Sequence, residues 1–391
     1  MSTVRNYLAK EIYRSTLVVM VALIGLFSFF TLVDQLDSLT DAFPLSSLLY
    51  LEALALPTRL YELLPIGLLI GAILALAGLA QRNELVILRV SGVSAKRLLG
   101  MLWMIAVPII LLAVVISEII TPAAEIRYSE ANLVMRGRAE GGRLVSGYWF
   151  KEPTKTGGYR VINISRLLGS GEVADLMLYE FADGTAMSAL VQARRGVFVD
   201  GQLKLSGVSE YALPADALEA LAQAQAREDP LLVMRQEPDR AIATTLTPAR
   251  LAARISMPER MSLAALWDFV QYMQSNQLDA TRQMVAIWRK LAYPFTLIVM
   301  MTIAAPISYM QTRRGGIGAK IFIGILVGTT FFMVNQLTLN VGMLYNWTPT
   351  VTALLPNTIA FLFAMLAVLG MERRLGPKEK TIKTPRKASP A

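Results

Sequence analysis

The chain has 391 residues, 54% hydrophobic and 17% charged, a balance that excludes an ordinary soluble enzyme and points to a membrane protein. Its 38 basic and 29 acidic residues leave a formal charge of +9, and it contains no histidine and no cysteine. Those absences exclude disulfides, Cys/His zinc sites, Ser-His or Cys nucleophiles and histidine proton relays.

The charge is segregated along the chain. The N-terminal tail, residues 81–97, residues 313–320 and the tail from Glu372 are each net basic, residues 34–62 are net acidic, and residues 118–290 are balanced. By the positive-inside bias this pattern marks one side of a membrane, and a nucleic-acid patch explains it less well.

Taken in order, Arg5, Lys10 and Arg14 precede an uncharged run from Ser15 to Val33, long enough to span a bilayer and without a cleavage pattern. The acidic stretch from Asp34 to Glu62, with Pro44 and Pro57, reads as an external loop. Leu63 to Gln81 is the second span, in which Gly67, Gly71 and Gly78 let neighbouring helices come close. The basic segment of about residues 81–97 follows. On a helix, Leu85, Leu88 and Gly92 form a narrow apolar stripe flanked by Arg82, Glu84 and Arg89, so the segment is either a docking helix for a cytoplasmic partner or a solvated topogenic loop. Leu98 to Ser117 is the third span, and Pro122 to Met135 continues it as helix.

The chain then changes character. Tyr159 to Ile164, Asp175 to Phe181 and Ala189 to Ala193 read as strands, and the runs on either side of Asp200-Gly201 read as a hairpin. Leu263, Leu266, Phe269, Val270 and Met273 then give one face of an amphipathic helix. Leu291 to Thr312 is the fourth span, and the uncharged stretch from Ile321 to Met371 needs two more, divided near Asn346, Trp347 and Pro349.

The fold expected is an α-helical membrane protein of six transmembrane helices, three plus three, with an inserted all-β domain. Its parts are residues 1–135, the β domain at 136–258, the second half at 259–375 and a disordered basic tail at 376–391. Both termini fall on the basic, cytoplasmic side.

No phosphate-binding loop occurs, and the nearest text, Gly315 to Ile321, has the wrong spacing. No metal site is legible. The apolar runs carry no ionisable side chain, which argues against an ion-coupled carrier; uphill movement then needs energy from elsewhere, and a separate ATPase docking on the basic loop is the simplest supply. Arg59, Arg136 and Arg138 are candidate contacts for phosphates of an amphiphile whose acyl chains lie among residues such as Phe27, Phe30, Leu63, Phe331 and Phe332; the alternative is that they are ordinary interfacial anchors.

Four blocks resemble a known family: Leu32-Val33-Asp34-Gln35-Leu36, Leu79 to Gly92 with its Ala80-Gln81-Arg82-Asn83-Glu84-Leu85 core, Trp288-Arg289-Lys290-Leu291-Ala292-Tyr293-Pro294 and Ala353-Leu354-Leu355-Pro356-Asn357. Together they look like the lipopolysaccharide-export permeases LptF and LptG, and most like the LptG side. The resemblance implies a non-catalytic inner-membrane permease subunit of an ABC transporter that pairs with LptF and docks a dimer of the ATPase LptB. ATP and Mg2+ would be held in that partner. Lipopolysaccharide would pass to LptC and a periplasmic bridge toward the outer membrane. It further implies that the β domain is a periplasmic β-jellyroll. The coupling helix would use Arg82, Glu84, Leu85, Leu88, Arg89 and Gly92, and spans one and five would form lateral gates near Phe27, Phe30, Thr31, Phe331 and Phe332. Thr31 stands where some LptG-type proteins have a phosphate-contacting lysine. The rival readings are a membrane-anchored periplasmic scaffold and an ion-coupled transporter.

Overall fold

The computed structural model of the protein describes residues 2–41, 43–91, 93–139, 148–154, 158–168, 172–182, 186–199, 201–212, 233–244, 246, 257–309 and 317–375. The first half comprises α1 (Ser2–Asp34), α2 (Leu45–Gln81), α3 (Glu84–Val90) and α4 (Ala95–Val115), which runs through a π-helical turn (Ile116–Ile120) into α5 (Thr121–Ala139). The second half comprises α6 (Leu263–Ser275), α7 (Thr281–Tyr309), α8 (Ile317–Leu344) and α9 (Pro349–Leu375). Six of the described helices are long and apolar enough to cross a membrane.

The expected loop from Asp34 to Glu62 is mostly helix. Pro44 supplies the extended N-cap of α2, and the leucine-rich run after it continues as helix through Pro57 and Pro65, giving 37 residues. Proline costs a helix one donor and a local clash, and packing of Leu48 and Leu51 with Phe43 onto Tyr128 and Met135 of α5 offsets that cost. At about 1.5 Å per residue, α2 is near 55 Å long, far more than the ~30 Å hydrocarbon core, so its first turns extend beyond one membrane face.

The largest core gathers Leu68, Leu69, Ile73 and Leu76 of α2, Leu102 and Ile105 of α4 and Leu297, Met300 and Met301 of α7. In the apolar window of α2, 67% of residues are buried, against 11% in each of α1 and α8, so those two helices flank the bundle and expose most of their surface. The α1–α2 contact is close: a Cβ added at Gly71 would lie 2.5 Å from the Thr16 Cα. Gly78, expected to act likewise, has nothing within 4 Å.

Between the halves, β1 (Tyr148–Pro153), β2 (Tyr159–Leu168), β3 (Glu172–Ala182), β4 (Ala186–Val199), β5 (Gln202–Ala212) and β6 (Val233–Ala243) form one antiparallel sheet in sequence order. The expected hairpin is present, with Val199 paired to Gln202 and Gly201 at φ +72. Phe150, Ile162, Leu178 and Val191 make one cross-strand row on the buried face. That face is covered by α6, whose Leu266, Phe269 and Val270 join the same cluster. Ser262 caps α6 by accepting the Ala265 N–H at 3.2 Å. The basic tail at 376–391 lies outside the described residues.

Candidate functional site

Two regions concentrate the chemistry, one at each end of the bundle. At the end away from the sheet, α2 stops at Gln81, Asn83 turns the chain with φ +59, and α3 begins at Glu84. Ser94 then caps α4, accepting the Arg97 N–H at 3.3 Å. Leu85 is 2% exposed, and it and Leu88 pack into the main core with Leu79, Leu98 and Leu102. The stripe expected to meet a partner therefore faces the bundle, because a seven-residue helix between two long ones buries its apolar side against its own neighbours. Arg82 pairs with Glu11 of α1 at 2.6 Å and with Glu84 at 3.4 Å, while the Tyr7 hydroxyl donates to Glu84 at 2.9 Å. Those α1 partners carry no signal at local spacing. The outer side of α3 presents Ile87 and Val90, the latter 85% exposed. Gly92 and the Arg89 side chain lie outside the described residues.

The expected lipid-path residues divide between places. Phe27 and Phe30 are exposed on α1, and the Thr31 hydroxyl donates to the Phe27 carbonyl at 3.0 Å. Leu63 and Phe331 are partly buried against the main core. Phe331 and Phe332 line a cavity of about 600 Å³ between α2, α7, α8 and α9 at the sheet end of the bundle. The residues of α1 named above are not part of its wall.

That cavity is rich in charge. Arg260, Arg282, Arg289 and Lys290 line it with Glu62 and Glu259. Arg260 pairs with Glu125 at 3.1 Å and Glu62 at 3.8 Å, Arg289 with Glu259 at 3.9 Å and Lys290 with Glu118 at 3.0 Å. Burial opposes the charge on Arg260, but Glu125 and Glu62 outweigh it and hold its pKa above the ordinary value. Tyr61 and Tyr293 stack with ring centres 4.1 Å apart, and the Tyr293 hydroxyl donates to the Tyr61 carbonyl at 2.6 Å, joining α2 to α7 in the cavity wall. The spans are thus not bare of ionisable groups as their apolar runs indicate; the charges sit near the sheet end and are mostly paired.

Glu118 ties three elements together. Its carboxylate accepts from Lys290 of α7, from the Leu263 N–H at the start of α6 at 2.7 Å and from the Ser117 hydroxyl at 3.3 Å. The π-helical turn that carries it breaks the regular helical spacing between α4 and α5.

Of the expected phosphate contacts, Arg59 does not reach the cavity wall: its guanidinium is bound by both carboxylate oxygens of Glu52 and donates to the Ser28 hydroxyl at 3.0 Å. The side chains of Arg136 and Arg138 lie outside the described residues. The cations at the cavity were missed, although Arg282, Arg289, Tyr293 and Thr296 recur at i, i+7, i+11 and i+14 on one face of α7. Among the described residues no group of acidic side chains could hold a metal ion.

Residues 6–370 match the family described as lipopolysaccharide export system permease LptF/LptG. The chain is 26% identical over 368 residues to the lipopolysaccharide export system permease protein LptG of Escherichia coli strain K12, covering 92% of this chain and 96% of that one. It is 23% identical over 364 residues to the protein of the same description from Haemophilus influenzae, with the same two coverages, 92% and 96%.

Proposed function

The chain belongs to the LptF/LptG family of lipopolysaccharide export system permeases, and from that premise we propose that it is the LptG-type subunit of an ABC transporter. In this reading it pairs with LptF, takes its motion from an LptB dimer that binds ATP and Mg2+, and passes lipopolysaccharide from the inner membrane to LptC. The sheet then lies in the periplasm and both termini in the cytoplasm, in keeping with the basic segments.

The observation that carries the reading is the construction of the α3 corner. Leu85 and Leu88 root α3 in the core, Arg82 and Glu84 fasten it to α1, and Ile87 and Val90 remain on its outside. A partner that grips Ile87 and Val90 moves α1, α2 and α4 as one body, since packed interfaces shift between discrete arrangements rather than deform continuously. The broadly exposed faces of α1, with Phe27 and Phe30, and of α8, with Phe332, then meet LptF and lipid. Closing the partner ATPase narrows the space between the two permeases and drives lipid toward the sheet.

The test is ATP-dependent lipopolysaccharide release from proteoliposomes holding the complete complex. Ile87→Asp with Val90→Asp, which leaves the buried contacts of α3 intact, is expected to lower release at least ~10-fold, the scale of losing about 1.4 kcal/mol of coupling. Glu84→Gln, which weakens the tie to α1, is expected to leave hydrolysis running while release falls. Undiminished release in both variants refutes the lever. Unchanged hydrolysis by the ATPase when this chain is added points instead to a scaffold, and release driven by an ion gradient without ATP points to a carrier.

A further inference from the structure

The short helical turn Pro258–Arg260 lies between the sheet and α6 in the chain and is gripped from several sides. Pro258 opens it with a fixed backbone angle, and it ends at Met261, which is 6% exposed and joins the sheet core together with Leu263. Two contacts on this segment are tight. The Arg260 Nη1 donates to Glu125 of α5 at 3.1 Å, and the Leu263 N–H donates to Glu118 of the π-helical turn at 2.7 Å. The segment therefore travels with the π-helical turn and α5, and it carries α6 and the sheet with it, because Met261, Leu263 and Leu266 share the sheet's core.

Two other contacts stop short. The Arg260 Nε lies 3.8 Å from Glu62 of α2, and the Arg289 Nη1 of α7 lies 3.9 Å from Glu259. A charge-assisted bond closes at about 2.8 Å, so each gap is too wide by about 1 Å. The Arg260 Nε and the Glu259 Oε2 are both buried and have no hydrogen-bond partner among the described residues. A buried polar atom left unpaired costs stability, and closing on the opposite charge beside it removes that cost. Two adjacent residues thus carry the same unfinished contact toward two helices. Those helices are themselves joined, since Tyr61 of α2 stacks on Tyr293 of α7 and the Tyr293 hydroxyl donates to the Tyr61 carbonyl at 2.6 Å. One displacement of the α2–α7 pair toward the segment closes both gaps.

From this geometry we infer that Glu259 and Arg260 are positioning residues for transport, forming a two-state latch that is open here and closes when α2 and α7 move. The inference rests on the preceding reading, in which the partner ATPase displaces α2 and the sheet receives the lipid. Closing adds the pairs with Glu62 and Arg289 to the bonds with Glu125 and Glu118, so the root of the sheet becomes fixed to α2 and α7 as well as to α5. Glu118 is the pivot, because it holds Lys290 of α7 at 3.0 Å and the Leu263 N–H at once. Packed elements shift between discrete arrangements, and two pairs that close together make such a switch. In this way a stroke begun at α3 reaches the sheet through Glu62 at the other end of α2.

The chain has no cysteine, so Glu62→Cys with Arg260→Cys puts this subunit's two thiols on either side of one gap. In the complete complex, dibromobimane, which fluoresces once it bridges two thiols, is expected to bridge them at least ~5-fold faster with ADP and vanadate on the ATPase than without nucleotide, the lower end of coupling between linked sites. Glu62→Gln with Glu259→Gln leaves both tight bonds in place and is expected to lower lipid release from proteoliposomes ~5-fold or more while hydrolysis continues. Its thermal melt is expected to match wild type, because the open pairs are long and Glu62 keeps 54% of its side chain exposed. Arg260→Lys is expected to retain part of the release that Arg260→Met loses. Equal bridging rates in the two nucleotide states overturn the latch, and so does undiminished release by the double glutamine variant. A wild-type complex that shows no ATP-dependent release refutes export instead, while the ratio of bridging rates judges the latch by itself.

Discussion

Replacing Lys290 with methionine tests whether the ion pair with Glu118 holds the sheet end of the bundle together. The Lys290 side chain is 5% exposed, and Glu118 retains 26%. Its ammonium donates to Glu118 at 3.0 Å, to the Ser117 hydroxyl at 2.9 Å and to the Ser117 carbonyl at 3.3 Å. Methionine preserves the apolar stem but strips Glu118 of its counter-ion. Breaking a buried pair costs about 3–5 kcal/mol. Glu118 keeps the Leu263 N–H and the Ser117 hydroxyl and is partly solvated, which places the expected loss at the lower end, about 3 kcal/mol, or roughly two decades in the folded-to-unfolded ratio. Equilibrium unfolding in mixed micelles of sodium dodecyl sulfate and mild detergent reads this directly. Glu118→Gln and the double variant complete a cycle, with an expected coupling of at least ~1 kcal/mol between residues in direct contact. A Lys290→Met protein within about 0.5 kcal/mol of wild type, the range of a neutral surface change, refutes the reasoning.

Gly71→Leu is expected to destabilise the α1–α2 contact by about 1–3 kcal/mol, because the Thr16 backbone cannot rotate away from the added carbon. Gly78→Leu, where a Cβ meets nothing within 4 Å, is the matched control, and equal losses in the same unfolding assay contradict the packing assigned here. Asp279 accepts the Thr281 hydroxyl at 2.6 Å and its N–H at 2.9 Å, and these bonds lower the pKa of its carboxyl below the ordinary value. A depressed folded-state pKa stabilises above the unfolded value, near 3.9, and that contribution is lost as pH falls through the folded value. The difference in melting temperature between wild type and Asp279→Ala is therefore expected to be full at neutral pH and to shrink as pH falls below about 4. A gap that is the same at both ends assigns the effect to something other than this carboxylate.

The elements differ in how far they could be read from the chain, and the reasons are local. α6 shows its apolar face at helical spacing, and the Asp200-Gly201 hairpin its turn residues, so both were legible. The first half of α2 was obscured because Pro44, Pro57 and the five acids from Asp34 to Glu62 outweigh its leucines in any local reading, whereas packing on α5 rewards the leucines. α3 was placed but its orientation was reversed, since a stripe of Leu85 and Leu88 has the same spacing whether it faces a partner or the protein's own core. Arg59 looked free because Ser28, on another helix, and Glu52, seven residues back, are invisible to nearest-neighbour reasoning.

Hydropathy and charge act residue by residue along the chain, and so the six spans, their division around a strand-rich insert, the basic segments and the family blocks all follow from the order of amino acids. Side-chain partnerships do not, because they depend on which distant segments are brought together. Lys290 meets Glu118 across 172 residues, Arg260 meets Glu125 across 135, and α7 and α8 present their polar faces to a common cavity only once the helices are packed.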